Sequence, residues 1–145
     1  MRGELVIKTI RVSDGKEMSV DRVSNRFLDQ GYTNYRAIVG ASSAANAIIN
    51  RMQFGIGTDA PLITDTTLQS PITPIKAVGS FSYDDVAQSM TITAYLLAAE
   101  ANGFNVAEAA LVTVGGTIIA RTAFTPRAKT ADYLFTFDWT LSTAA

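Results

Sequence analysis

The stretch from Tyr133 to Leu141 leaves this chain few folds to choose from. Tyr133, Phe135, Phe137, Trp139 and Leu141 alternate with Leu134, Thr136, Asp138 and Thr140. Successive side chains of a strand point to opposite faces, so one face here is a wall of large apolar groups. A second layer must cover that wall, and a β-sandwich does so most economically. Upstream, a turn running from Asn102 to Glu108 leads into a strand. Gly115-Gly116 then reverses the chain, a second strand follows, and a loop containing Pro126 enters the aromatic strand.

Earlier segments fit the same class. Residues 4–12 are β-branched and alternating, and Ser13-Asp14-Gly15-Lys16 makes a turn in which Gly15 is free to take positive φ. Residues 19–30 read as a helix capped by Ser19 and ended by Gly31, or as an extended arm. Asn34 to Gly40 reads as a strand, and residues 41–46 as a small-residue connection, either the start of a short helix or a loop before a strand from Ala47 to Gly55. Asp65 to Leu68 reads as one helical turn capped by Thr64 or Asp65. Pro71 and Pro74 argue against a central strand and place the next segment at a sheet edge or at the entry to a linker. Lys76 to Tyr83 is a further strand, Asp84-Asp85 a turn, and Ser89 to Ala99 a strand covered on both faces toward its end. The expectation is an all-β, jelly-roll-like antiparallel β-sandwich with about seven or eight strands, a short helical turn and an extended N-terminal segment. Residues 1–45 would form a strand and arm belonging to the same domain as the core, residues 46–145.

Composition removes several chemistries. The chain has no histidine and no cysteine. Ser-His-Asp triads, Cys-His pairs, ordinary zinc sites and disulfides are therefore impossible. Lack of cysteine fits a protein made in a reducing cytosol. No apolar run approaches the roughly 18 to 20 residues of a membrane helix. The opening residues, with Arg2, Glu4 and Lys8, lack the apolar core of a secretory signal and read as mature structure. No membrane partner is expected. Charge is unevenly spread. Residues 1–51 hold eight of the twelve basic residues against five acids, about +3, and the remainder is about −4. Packing between copies, or docking on an acidic protein surface, would use such an asymmetry.

Individual sites are weaker signals. Gly55-Ile56-Gly57 suggests a phosphate loop, but neither nucleotide-binding pattern is complete, so a strand-end turn is the reading and no cofactor is expected. Adjacent Asp84 and Asp85 diverge, which is poor geometry for a glycosidase pair. Asp59 and Asp65 offer oxygen ligands for calcium without EF-hand spacing, so they read as turn carboxylates and no metal is expected. Glu108 stands alone in an apolar segment. It is a candidate catalytic acid, but with no second catalytic group the favoured role is structural, accepting backbone N–H groups at the turn or pairing with Arg121 or Arg127. Arg36, Arg51, Tyr32 and Tyr35 mix basic and aromatic groups as nucleic-acid surfaces do. The pI near 5.3 gives little footprint for that, and oligomer contacts fit better.

One ordered set of residues resembles a known group. It comprises Gly55-Ile56-Gly57-Thr58 with Pro61, then Asp65-Thr66-Thr67-Leu68, then Asn102-Gly103 with Glu108 and Leu111. Ala120-Arg121 with Phe124, Lys129, and Trp139-Thr140 complete it. Together they resemble small structural proteins of tailed-bacteriophage virions. The resemblance spans residues 46–141 and departs from the pattern at Ala110, where glycine is preferred. It implies a non-enzymatic β-sandwich in the virion, assembled in the bacterial cytoplasm. The leading function is head decoration, with the protein as a homotrimer clamped to the major capsid protein by its N-terminal segment. A tail-fibre or baseplate module is the alternative, and a carbohydrate-binding domain or a carboxylate glycosidase using Glu108 or Asp138 comes third. Candidate contacts with capsid or neighbouring copies are Arg2, Lys8, Arg11, Arg22, Arg26, Tyr32, Tyr35 and Arg36, and candidate structural residues are Gly55, Gly57, Glu108, Arg121 and Trp139.

Overall fold

A computed structural model describes residues 2–39 and 48–143. Two five-stranded antiparallel sheets pack face to face. Sheet A has the order β2-β1-β10-β7-β6, formed by Glu17–Ser24, Arg2–Arg11, Tyr133–Ser142, Ser89–Leu96 and Ser80–Asp84. Sheet B has the order β3-β9-β8-β4-β5, formed by Arg26–Phe27, Ile118–Ala128, Asn105–Thr113, Ile49–Gly55 and Pro71–Ala77. The β-sandwich expected from the aromatic strand is what forms, with ten strands among the described residues.

The alternation of β10 does what its sequence requires. Phe135, Phe137, Trp139 and Leu141 are buried, and Leu5 and Ile7 of β1 and Ile92, Ala94 and Leu96 of β7 share their face. From sheet B, Met52, Phe54, Val106, Ala109, Leu111 and Ala120 meet them. Phe54 and Phe137 stack across the layers with ring centroids 4.4 Å apart. Burial of this much apolar surface, at roughly 25 cal/mol per Å², is the main stabilising term.

The N-terminal segment is not a free arm. β1 pairs with β10 from Arg2↔Ser142 to Arg11↔Tyr133 and with β2 on its other side, so it is an interior strand of sheet A. After the Gly15 turn (φ 69°), residues 17–24 return as edge strand β2 rather than as a helix.

The helix comes later. α1 covers Asp29–Val39, where a strand from Asn34 is the sequence expectation. Asp29 in its first turn and Arg36 in its last suit the helix dipole. Gly31 does not terminate it. A Cβ at Gly31 would stand 2.6 Å from the Ile119 carbonyl oxygen, so glycine here lets α1 press against β9. The small-residue connection expected at residues 41–46, with Gly40 and Ala47 on either side, lies outside the described residues.

Two other expectations change. Residues 65–68 form no helical turn, because the Asp65 carboxylate accepts the Leu62 N–H and then turns inward to Arg121. Residues 76–83 are two strands in different sheets. Val78 donates to Asn50 of sheet B and Gly79 to Thr93 of sheet A, so the chain changes layers between them. Pro71 and Pro74 do fall on an edge strand, β5.

Candidate functional site

β8 is buried on both faces from Val106 to Thr113. One face joins the sandwich core. The other packs Ala110 and Val112 with Leu28, Leu68 and Ile118 in a second apolar cluster. The cover on this outer face is α1 together with the long connection from Ile56 to Ser70. Glu108 lies on that face in mid-strand, not in a turn, and is fully buried.

The Glu108 carboxylate is held by five hydrogen bonds. Oε1 accepts the N–H groups of Gly57 at 3.1 Å and Ser70 at 2.7 Å. Oε2 accepts the Gln69 N–H at 3.0 Å and two donors of Arg121, Nε at 3.2 Å and Nη2 at 2.9 Å. Arg121, 3% exposed, faces Glu108 from β9, where its Cα partner is Ala110. Its Nη1 reaches Asp65 at 2.6 Å and its Nη2 also reaches the Asp59 carbonyl at 3.1 Å. Gln69 completes the set by accepting the Asp59 N–H at 2.9 Å and donating to its carboxylate at 2.8 Å. An isolated buried charge would be costly; here each is paired and hydrogen-bonded on several sides.

The two glycines of Gly55-Ile56-Gly57 make room for this carboxylate rather than for a phosphate. A Cβ on Gly55 would stand 2.3 Å from Glu108 Oε1, and one on Gly57 would stand 2.7 Å from the same atom. Thus Gly55, Gly57, Glu108 and Arg121, separated by up to 66 positions in the chain, meet in one cluster. Of the two arginines open to Glu108, Arg121 takes it. Arg127 pairs with Asp21 at 2.6 Å and bonds Thr9 and Ser19. Asp59 and Asp65 are occupied by Gln69 and Arg121. Glu108, enclosed and fully hydrogen-bonded, has no open side toward a substrate.

The sequence marks a second buried charge only by its place in the phage-like pattern. Lys129 is 1% exposed, and its Nζ donates to the Ala98 carbonyl at 3.3 Å, Asn102 Oδ1 at 2.9 Å and the Thr130 carbonyl at 3.0 Å. Its backbone bonds Phe104 and Gly103. Lys129 therefore ties together the two connections that carry the chain between layers, β7 to β8 and β9 to β10. Burial pulls its pKa below 10.5, against a partly offsetting attraction from Glu100. Glu100 itself pairs with Lys76 at 2.7 Å. Burial raises the Glu100 carboxyl, but the bonds from Lys76 and the Leu97 N–H outweigh it and the net shift is downward.

The candidate contact residues fall on several elements, β1, β2, β3 and α1. Lys8 pairs with Glu17, Arg11 with Asp14 and Arg22 with Glu4, all on or beside sheet A. Arg11 and the Lys16 N–H together hold the Asp14 carboxyl at about 2. Arg2 is exposed at the start of β1. Arg26 and Tyr32 line a cleft of about 450 Å³ with Phe27 and Pro61, and the Tyr32 ring packs edge-on to Phe27. Tyr35 and Arg36 are exposed on α1, whereas Arg51 lies apart on β4 and donates to the Thr113 carbonyl. Trp139 is wholly inside the core.

No protein-family model, no curated protein and no solved structure matches the chain.

Proposed function

We propose that the protein is a structural component of a tailed-bacteriophage virion, and specifically a head decoration protein that binds the major capsid protein and stabilises the expanded shell. One observation carries the reading. Seven of the residues on which the phage resemblance rests, Gly57, Asp65, Asn102, Glu108, Arg121, Lys129 and Trp139, are engaged in holding a two-layer scaffold together. Glu108 is enclosed by five donors, and Trp139 is buried where a sugar-binding platform would need it exposed. Strand faces and strand edges remain outward, and these suit docking on another protein.

The mechanism is mass action. A protein that binds only the expanded shell stabilises it by its differential affinity for that state. The test mixes purified protein with empty heads before and after expansion, then sediments them and images the pellets by cryo-electron microscopy. A regular lattice of copies on expanded heads alone is expected. Copies confined to one vertex or to the tail would move the assignment to a tail-fibre or baseplate module, and binding to no part of the particle would end it.

A further inference from the structure

Among the described residues the two sheets have four edge strands, and three of them are guarded against pairing. β3 is two residues long. β5 carries Pro71, Pro74 and Lys76 and an irregular register against β4. β2 carries Glu17, Asp21 and Arg22. Short length, proline and charge are the usual ways to keep a sheet edge from templating another strand. β6, Ser80-Phe81-Ser82-Tyr83-Asp84, has none of these before its last residue, and all five residues are exposed.

Its aromatic side chains are also uncovered. Phe81 and Tyr83 share the inward face of sheet A with Ile92 and Met90, their partners on β7. Yet Phe81 is 43% and Tyr83 73% exposed, because sheet B does not extend over them. A cleft of about 310 Å³ lined by Tyr83, Met90 and Leu141 lies beside them.

We propose that β6 pairs antiparallel with β6 of a second copy about a two-fold axis at Ser82, joining two A sheets into one. The sequence is self-complementary in that register. Ser82 faces Ser82 of the second copy, Phe81 faces its Tyr83, and Ser80 faces its Asp84. Aromatic pairs across strands are favourable, and no like charges stand opposite each other. The Phe81 ring of the second copy lies on the side of the cleft beside Tyr83. A two-fold contact of this kind uses the same patch on both copies and closes at two. The proposal does not depend on the virion reading, and it replaces the three-fold state that the resemblance implies.

Analytical ultracentrifugation of the full chain at micromolar concentration tests it. The expected species is a dimer. Ser82→Lys, on an exposed outward position, places two ammonium groups at the axis and shifts the mass to one copy, as does Ser82→Asp. Mixing the two variants restores a dimer of one copy of each. The chain has no cysteine, so Ser82→Cys adds a single thiol. It is expected to form a disulfide-linked dimer under mild oxidation much faster than Ser13→Cys in the exposed β1–β2 turn, because directly opposed residues lie within disulfide reach. A wild-type monomer, a trimer, or a dimer that persists in Ser82→Lys would overturn the proposal.

Discussion

The two sheets treat their outer faces in opposite ways. Sheet B buries its outer face under α1 and the 56–70 connection, and places a buried carboxylate and guanidinium there. Sheet A has no such enclosed group on its outer face among the described residues that form its ion pairs, and Val6, Lys8, Ile10, Leu134, Thr136, Asp138 and Thr140 are only half-buried there. Its polar contacts are lateral, Thr91 to Thr140 at 2.9 Å and Thr93 to Asp138 at 2.7 Å. A long connection without secondary structure exposes many backbone donors, and Glu108 answers three of them from one side chain. Charge inside sheet B is thus the means of closing a loop, whereas polarity on sheet A only decorates regular strands.

Glu108→Ala is the hardest blow to this difference. It leaves Arg121 buried beside a vacancy and strips three backbone N–H groups of their acceptor. The expected loss is about 3–5 kcal/mol by urea denaturation, with the 56–70 connection becoming the first site of limited proteolysis. A loss below about 1 kcal/mol would mean that sheet B's cover is held by its apolar cluster alone. Gly57→Ala attacks the same cluster sterically, since its Cβ would overlap Gln69 and Glu108. Overpacking predicts a smaller cost of about 1–3 kcal/mol.

Legibility in the sequence follows the range of the interaction. β10 is readable because period-two alternation is local, and so is the Gly15 turn. The edge position of β5 is readable because proline cannot donate to a ladder. The second half of α1 reads as a strand because the helix's decisive contact is nonlocal, the approach of Gly31 to Ile119 on β9. The break at Val78-Gly79 is hidden for the same reason, since only the partner strands reveal a change of sheet. At the buried cluster, a structural Glu108 with an arginine partner is legible as an option. Gly55 and Gly57 carry a structural expectation through the resemblance, but their place around Glu108, with that of Asp59, Asp65 and Gln69, is not legible, because no spacing rule links a loop to a strand that lies far along the chain. For Lys129, three acceptors from two crossings carry no local signal at all.

Lys129 sharpens the comparison through pH. Its pKa is lowered on folding, so between the folded value and 10.5 the unfolded chain holds the additional proton. Stability from this group therefore rises as pH increases through that interval and sits at a constant deficit below it. Thermal melts of wild type should show this alkaline gain, and Lys129→Met should lack it. The variant also orphans the Asn102 and carbonyl acceptors, for a loss of about 1–3 kcal/mol at neutral pH. An identical pH profile in both proteins would mean that the ammonium is as well solvated when folded as when unfolded.

The smallest effect is expected on the open face. Asp138 accepts one bond from Thr93 and is half-buried among β10 neighbours. Asp138→Ala removes that bond, and both partners are half-buried rather than enclosed, so the loss should be about 0.5–1.5 kcal/mol. The double variant with Thr93→Val should cost little more than either single change, because the pair is one contact. The measurement discriminates because the bond is shorter than any in the Glu108 cluster except the Arg121–Asp65 bond and one of the same length, so distance alone would rank it high. If Asp138→Ala cost as much as Glu108→Ala, sheet A's outer face would have to be shielded in solution, and the contrast between a covered and an open sheet would belong to the isolated chain only. A small loss instead places the difference in solvent access, the property that makes the same carboxylate chemistry structural on one sheet and incidental on the other.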